Sequence, residues 1–291
     1  MRLLFFVLLV MPAAVALAQT GNSFRISSAH TSFPDTGRVN GHRYNNVLYP
    51  VQGHYNDSTV LIVVPPDFNA GKKVDIVCWF HGWYNHIDSV LSYFEIAQQF
   101  TASGRNAILV IPESAKDAPD SYGGKLEQQG RFRLLLEDVL AKLKKEKIVS
   151  KKATAGNIIL AGHSGAYRVM AFILQQGGIE INEANLFDGM YGQADKYINW
   201  LQADSSHRFI NIYTNKGGGT DKVSAELAQR LNDNNIPVAS LEEKDLVPIA
   251  LRSNRVVFIH SLKGHNDVIN RPDANFRLFL ENSPHLQARH Y

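Results

Sequence analysis

Short apolar runs alternate with longer amphipathic segments along most of this chain. The apolar runs are rich in β-branched residues, and the run at 74–80 is apolar enough for a strand buried on both faces. The predicted strands lie at 59–64, 74–80, 107–111, 157–161, 184–187, 208–213 and 255–260. Helical spacing of apolar residues predicts helices at 88–102, 128–148, 166–176, 195–204, 223–232 and 273–281. The alternation predicts an α/β fold, a mostly parallel, doubly wound sheet with helices on both faces.

The first residues are excluded from this fold. Arg2 precedes an apolar run at 3–18, and the run ends in the small-residue sequence Ala16-Leu17-Ala18. This pattern is typical of a secretory signal peptide at 1–18 that is cleaved near Ala18, which predicts an exported, periplasmic or secreted protein. The alternative is a membrane anchor, but the run is shorter than the roughly 20 residues that a span needs.

The rest of the chain is predicted to form an arm and one domain. Residues 19–57 are polar and rich in Gly, Pro, Asn and His, which predicts an N-terminal arm packing on the sheet edge. Residues 58–291 contain no repeat, low-complexity tract or linker, so they are predicted to form a single domain. We expect no membrane span after removal of the signal peptide.

Composition excludes several classes of protein. Hydrophobic residues make up 45% of the chain and charged residues 20%, values typical of a globular protein. The net charge is only +3, and the one basic run, at 142–152, lies at the end of a predicted helix, where it complements the helix dipole. We therefore expect no nucleic-acid partner. The single cysteine, Cys78, excludes an internal disulfide and a Cys-rich metal site.

The sequence Gly162-His163-Ser164-Gly165-Ala166 follows a predicted strand and precedes a predicted helix. It departs from G-x-S-x-G only at its last residue. A tight strand-to-helix turn with small neighbours holds the central serine in strained geometry at the sheet rim, as a nucleophile requires. A phosphate-binding loop is the alternative, but the lysine and additional glycines of that motif are missing. Ser164 is the predicted nucleophile.

The sequence His81-Gly82-Trp83 follows another buried strand, upstream of the serine turn. With that turn, it resembles the oxyanion loop of the α/β-hydrolase superfamily. The resemblance implies an oxyanion hole formed by the backbone N–H groups of Trp83 and Gly165. The short connections between Asp188 and His265 leave no room for a large cap domain. We expect the His81 side chain to bond nearby backbone. His81 and His86 have metal-ligand spacing, but no third ligand is near, so no metal site is predicted.

The same resemblance implies a histidine base after the last strand and an acid between it and the serine. His260 and His265 are the candidates for the base, and His265 is favoured because it lies in the open loop after the strand. Asp188 and Asp221 are the candidates for the acid. Asp188 is favoured because it directly follows an apolar strand, whereas Asp221 lies where a helix N-cap is the ordinary use of aspartate.

These residues predict an exported serine hydrolase that cleaves a carboxylic ester through an acyl-enzyme on Ser164. The alternatives are a serine peptidase on the same scaffold and an inactive binding protein with the same fold. No G-x-G-x-x-G follows a strand, so no cofactor is expected. The expected partner is a small-molecule or polymer-borne ester, bound at an open rim. Aromatic side chains are predicted to line that rim: Trp83, Tyr84, Tyr122, Tyr191 and Trp200.

Overall fold

A computed structural model describes residues 21–216, 218–270 and 274–289. The predicted signal peptide lies outside these residues. The strands are β1 (Asn22–Ser27), β2 (His42–Tyr44), β3 (Val47–Tyr49), β4 (Thr59–Val64), β5 (Lys73–Phe80), β6 (Ile108–Pro112), β7 (Thr154–His163), β8 (Glu183–Phe187), β9 (Arg208–Thr214), β10 (Ala239–Glu242) and β11 (Val256–Ser261). The helices are α1 (Val51–His54), α2 (Ile87–Tyr93), α3 (Ile96–Ala102), α4 (Arg131–Lys145), α5 (Tyr167–Gln176), α6 (Ala194–Ala203), α7 (Thr220–Asp233), α8 (Pro248–Ser253) and α9 (Asn275–Glu281).

One nine-stranded sheet organises the molecule, in the order β1-β4-β6-β5-β7-β8-β9-β11-β10. The pairs from β6 to β10 are parallel, whereas β4 runs antiparallel to both β1 and β6. The predicted α/β fold with a mostly parallel sheet is therefore confirmed. Within the described residues, no helix is both long and apolar enough to cross a membrane.

Side chains of β5 show why both faces of the sheet are covered. Ile76, Cys78 and Phe80 belong to one apolar cluster, with residues of α4, α5, α6 and α7. Val77 and Trp79 belong to a second cluster, with residues of α2, α3 and α9. Alternation in a strand directs successive side chains to opposite faces, so an apolar run needs a layer of helices on each side. Each large apolar side chain buried there contributes about 1.5–3 kcal/mol.

The helix predicted at 88–102 is wrong as a single element. It is divided into α2 and α3 by Glu95, which has a φ of +51° in the left-handed region. Phe94 and Ile96 on either side are both buried, so the break turns both apolar residues towards the core. Similarly, α4 begins at Arg131 rather than at 128, because Gly130 adopts a φ of +72° just before it.

The segment before β4 reaches two parts of the fold. β1 pairs antiparallel with β4 and forms an edge strand of the main sheet. The β2–β3 hairpin, which the sequence pattern did not predict, forms its own two-stranded sheet. Phe33 and Tyr55 form a small apolar cluster with Ala115 and Ala118 in the loop after β6. The arm is thus packed onto that loop as well as onto the sheet edge.

Candidate active site

The carboxyl ends of the central parallel strands meet at one edge of the sheet. β5, β7, β8, β9 and β11 follow one another across the sheet. Trp83 follows β5, Ser164 follows β7, Asp188 follows β8 and His265 follows β11. Clefts at the carboxyl ends of parallel strands are where such sheets bind ligands, so the predicted site residues share the expected edge.

Ser164 occupies a sharp turn between β7 and α5. It has a φ of +54°, and a 3₁₀ turn at Ser164–Ala166 leads directly into the helix. A left-handed backbone at a non-glycine residue costs about 1–3 kcal/mol and is characteristic of functional sites. The turn is closely packed, since a Cβ on Gly189 would lie 2.8 Å from Ser164 O. This is the strained geometry expected of a nucleophile turn.

Ala166, which replaces the last glycine of the motif, fits this turn. Its φ is −64°, in the right-handed region, so the backbone there does not require glycine. Side-chain size is restricted at Gly162 instead, because a Cβ added there would lie 2.7 Å from the Ala166 Cβ. The methyl group of Ala166 thus occupies the space above Gly162, and the departure from the motif leaves the turn intact.

Asp188 and His265 form a hydrogen-bonded pair next to this turn. His265 Nδ1 lies 2.6 Å from Asp188 Oδ2. An ionised carboxylate only accepts hydrogen bonds, so Nδ1 carries the proton and Nε2 of the neutral ring can accept one. The Asp188 side chain is fully buried, whereas the His265 side chain is 31% exposed. The pair therefore combines a buried carboxylate with an imidazole that is open to solvent.

Two threonines that the sequence analysis did not identify hold Asp188 in place. The N–H and hydroxyl of Thr214 donate to its two carboxylate oxygens at 3.0 and 3.1 Å, and the Thr220 hydroxyl donates a further bond. Burial raises the pKa of Asp188, but the hydrogen bonds from His265, Thr220 and Thr214 outweigh burial and hold the pKa below its usual value. Asp188 is thereby kept ionised beside His265.

His163 packs against His265 and makes a hydrogen bond to its backbone. Its Nε2 lies 3.0 Å from the carbonyl oxygen of His265, and the two rings are 4.5 Å apart. A carbonyl only accepts, so Nε2 carries the proton. Burial and the neighbouring His265 lower the pKa of His163 to about 3, which keeps its ring neutral. The residue before Ser164 thus helps to fix the loop that carries His265.

The loop after β5 lies against the serine turn. A Cβ on Gly82 would lie 2.8 Å from the Ser164 Cβ, so only glycine allows this approach. The Trp83 indole N–H donates to Ser121 Oγ at 2.8 Å, and the Tyr84 N–H donates to Ala118 O at 3.1 Å. In the described part of the chain, the Trp83 backbone N–H has no hydrogen-bond acceptor, so it remains available as an oxyanion donor.

His81 makes the predicted backbone contact and a second contact that the sequence did not indicate. Its Nδ1 lies 2.9 Å from Gly82 O, and its Nε2 lies 2.8 Å from Glu113 Oε1. His86 is paired instead with Asp117, at 2.7 Å. Among the residues that the structure describes, no group of three or more His, Cys, Asp or Glu side chains could hold a metal ion.

The less favoured candidates lie elsewhere. His260 Nδ1 bonds Glu242 Oε2 at 2.9 Å, on the strand β11 rather than in the loop after it. Asp221 lies in the first turn of α7, one residue after the helix begins. The structure brings His265 into contact with Asp188, and neither His260 nor Asp221 takes part in that contact.

The aromatic rim is only partly as predicted. The prediction of Trp200 as a rim residue is wrong. Its side chain is buried, with 6% exposed, and its indole N–H donates to Ile181 O within the hydrophobic core. Tyr84 is 54% exposed in the loop after β5. Tyr191 faces the Ser164 hydroxyl, and burial together with the Asp188 charge raises its pKa to about 12. Tyr122 is half-buried under the arm, where its hydroxyl donates to Asp35.

The N-terminal arm adds two aromatic side chains beside Trp83 and Tyr84. Tyr44 on β2 packs edge-on against Trp83 with 5.2 Å between ring centroids, and Tyr49 on β3 lies 6.3 Å from Tyr84. The sequence carried no signal for this contact, because the hairpin is short and reaches the site only through packing. Residues of the arm therefore flank the loop after β5.

No family model and no curated protein matches this sequence. The structure is similar to a feruloyl esterase module from Clostridium thermocellum, with 10% identity, 94% of this chain and 91% of that chain covered, and a TM-score of 0.54.

It is also similar to the S-formylglutathione hydrolase of Staphylococcus aureus (11% identity, 90% and 98% covered, TM-score 0.53). A third is the ferulic acid esterase of Anaeromyces mucronatus (14% identity, 94% and 92% covered, TM-score 0.52). At such identities the likeness concerns architecture, and together with the strand order it shows that this chain has the α/β-hydrolase fold.

Proposed function

We propose that this protein is a serine hydrolase that cleaves a carboxylic ester through an acyl-enzyme on Ser164. The observation that carries the proposal is the pairing of buried Asp188 with partly exposed His265 beside the strained Ser164 turn. The names of the similar structures, which are hydrolases and esterases, agree with this class. The predicted signal peptide at 1–18 supports the further proposal that the protein is exported.

In the proposed reaction, His265 Nε2 removes the proton from the Ser164 hydroxyl as the serine oxygen attacks the ester carbonyl. The carbonyl oxygen becomes an oxyanion that accepts hydrogen bonds from the N–H groups of Trp83 and Gly165. Each such donor contributes about 3 kcal/mol to the transition state. The C–O bond then breaks, and His265 returns the proton to the departing alcohol. Water attacks the acyl-enzyme by the same route, which releases the acid.

The proposal is tested by labelling the purified protein with a fluorophosphonate and mapping the adduct by mass spectrometry. We expect one adduct, on Ser164, that is absent in Ser164→Ala and forms much more slowly in His265→Ala. Ser206→Ala, which alters an exposed serine in a turn, is the matched control and should label normally. A folded wild-type protein without an adduct would favour a binding protein with no hydrolase activity.

The substrate class is tested with a p-nitrophenyl ester and the p-nitroanilide of the same acyl group. We expect hydrolysis of the ester and none of the anilide. Comparable rates on both would instead assign the protein to the serine peptidases.

A further inference from the structure

A histidine–carboxylate pair is sealed behind the oxyanion loop. The side chains of His81 and Glu113 are 1% and 3% exposed, and their closest atoms are 2.8 Å apart. His81 begins the loop after β5, and Glu113 directly follows the neighbouring strand β6. The second oxygen of Glu113 accepts the Ile87 N–H at 3.2 Å, which fixes the carboxylate at the start of α2.

The partners of His81 indicate its protonation state. Nε2 faces a carboxylate oxygen of Glu113, and Nδ1 faces the carbonyl oxygen of Gly82 at 2.9 Å. Both partners are acceptors, which favours a proton on each ring nitrogen and hence an imidazolium. The Ser114 N–H is a competing donor to Nε2 at 3.3 Å, whereas the Glu113 oxygen lies closer, at 2.8 Å. Burial lowers the pKa of His81, but the hydrogen bond to Glu113 and the Glu113 charge raise it further, so the pKa lies above its usual value.

The hydrogen bond from His81 to Gly82 O affects the peptide unit that contains the Trp83 N–H. The Gly82 carbonyl and the Trp83 N–H belong to one planar peptide unit and point in opposite directions. A hydrogen bond that holds the carbonyl towards His81 therefore fixes the direction of the Trp83 N–H. A charged donor on the carbonyl also polarises the amide, which makes its N–H a stronger donor.

We propose that His81, held as an imidazolium by Glu113, is a positioning residue that orients and polarises the Trp83 N–H of the oxyanion hole. This inference rests on the proposed function, in which that N–H binds the oxyanion. His81 touches neither the substrate nor the reacting atoms. Its effect therefore appears in the step where negative charge develops and leaves ground-state binding unchanged.

The kinetic test compares two nearly isosteric substitutions. Glu113→Gln removes the charge that holds the imidazolium, whereas Asp117→Asn makes the same change in the exposed pair with His86. With a p-nitrophenyl ester as the probe, we expect kcat of Glu113→Gln to fall about 10-fold with KM within about twofold, because losing a whole donor costs about 10²–10³. His81→Leu should lose about 100-fold in kcat. Asp117→Asn should match the wild type.

A spectroscopic test does not depend on enzymatic activity. In ¹⁵N-histidine-labelled wild-type protein at neutral pH, we expect the His81 ring to show slowly exchanging protons on both nitrogens. The buried His207 ring, which lies between Trp200 O and Glu180 Oε1, is the other candidate for such signals. Loss of one of these protons in Glu113→Gln assigns the ring to His81. A buried His81 ring with a single proton would overturn the inference even if the enzyme is active.

The outcomes separate the inference from the proposed function. An active wild type in which Glu113→Gln and Asp117→Asn have equal kcat overturns only the role of His81. A fall in kcat accompanied by an equal rise in KM also overturns it, since that pattern means lost binding. A folded wild type that neither reacts with a fluorophosphonate nor hydrolyses esters overturns both.

Discussion

Two histidine–carboxylate pairs lie at the same edge of the sheet, and they differ in their access to solvent. His265 and Asp188 are 2.6 Å apart, with the histidine side chain 31% exposed. His81 and Glu113 are 2.8 Å apart and both are nearly inaccessible. The exposed ring keeps one nitrogen available for proton transfer, whereas both nitrogens of the sealed ring are occupied. We therefore propose that a histidine–carboxylate pair acts as a base where it is open to solvent and as a fixed charge where it is buried.

The largest effect on activity is expected when the pair formed by Asp188 and His265 is broken. Asp188→Asn leaves a group that no longer holds the Nδ1–H tautomer of His265, so we expect kcat to fall about 10³–10⁴-fold. The measurement is steady-state hydrolysis of a p-nitrophenyl ester. Asp221→Asn is the matched control and should stay within about twofold. Equal losses in the two variants would contradict the role of Asp188.

Removing one member of the buried pair formed by His81 and Glu113 should chiefly lower the free energy of unfolding. Glu113→Ala leaves the His81 imidazolium buried without its partner, and removing one member of a buried pair costs about 3–5 kcal/mol in the free energy of unfolding. Urea denaturation followed by circular dichroism measures this loss. A change below about 1 kcal/mol would mean that the pair is not desolvated as the structure indicates.

The close approach of the oxyanion loop to the serine turn gives a third prediction. Gly82→Ala introduces a Cβ 2.8 Å from the Ser164 Cβ and 2.9 Å from His163 O, so the loop must move away. Because displacing a single donor costs about 10²–10³ in kcat, we expect at least about a 100-fold loss. Gly192→Ala is the control, since its new Cβ meets its nearest neighbour, in Tyr167, at an ordinary 3.6 Å. A Gly82→Ala enzyme of normal activity would argue against this loop as the oxyanion donor.

The two pairs should stabilise the protein on opposite sides of neutral pH. Hydrogen bonds outweigh burial and lower the pKa of Asp188 from 3.8, so its contribution is present above that pH and is lost on acidification. Glu113 outweighs burial and raises the pKa of His81 from 6.5, so its contribution is complete below that pH and is lost as the pH rises through the folded-state pKa.

Urea denaturation over a series of pH values measures both slopes. We expect Asp188→Asn to flatten the acid side of the stability curve and Glu113→Gln to flatten the alkaline side. Parallel curves for wild type and Glu113→Gln on the alkaline side would contradict the raised pKa of His81.

The smallest effect is expected at the surface pair of His86 and Asp117. Both side chains are substantially exposed, at 30% and 47%, so solvent screens their attraction. Asp117→Asn should change the free energy of unfolding by less than about 1 kcal/mol, measured by the same urea titration. A larger loss would show that exposure is not what separates this pair from the sealed one.

The sequence predicted the features that depend on local pattern. Strand β5 was identified because its apolar run is continuous, and the Ser164 turn because small residues flank a serine between a strand and a helix. The break at Glu95 was missed, since apolar spacing at 88–102 fits one helix as well as two. Trp200 was misplaced because an aromatic residue in an amphipathic helix has the same pattern whether it faces the core or a rim.

The candidate site was predicted at the level of strand ends. Ser164, Asp188 and His265 could be proposed because parallel strands put the residues that follow them at one edge, and chain order separates their roles. Their catalytic roles remain predictions until the labelling experiment is done. The supporting groups were not predictable in the same way, since Thr214, Thr220 and Glu113 carry no motif.

The sequence by itself therefore determined the layered α/β architecture and the short list of residues at the sheet edge, because hydrophobic periodicity and turn chemistry act between near neighbours in the chain. Only the tertiary structure decided which carboxylate meets which histidine and how far each pair is exposed. Those properties arise from contacts between residues far apart in sequence, and burial, which sets their pKa values and their energies, is a property of the packed molecule.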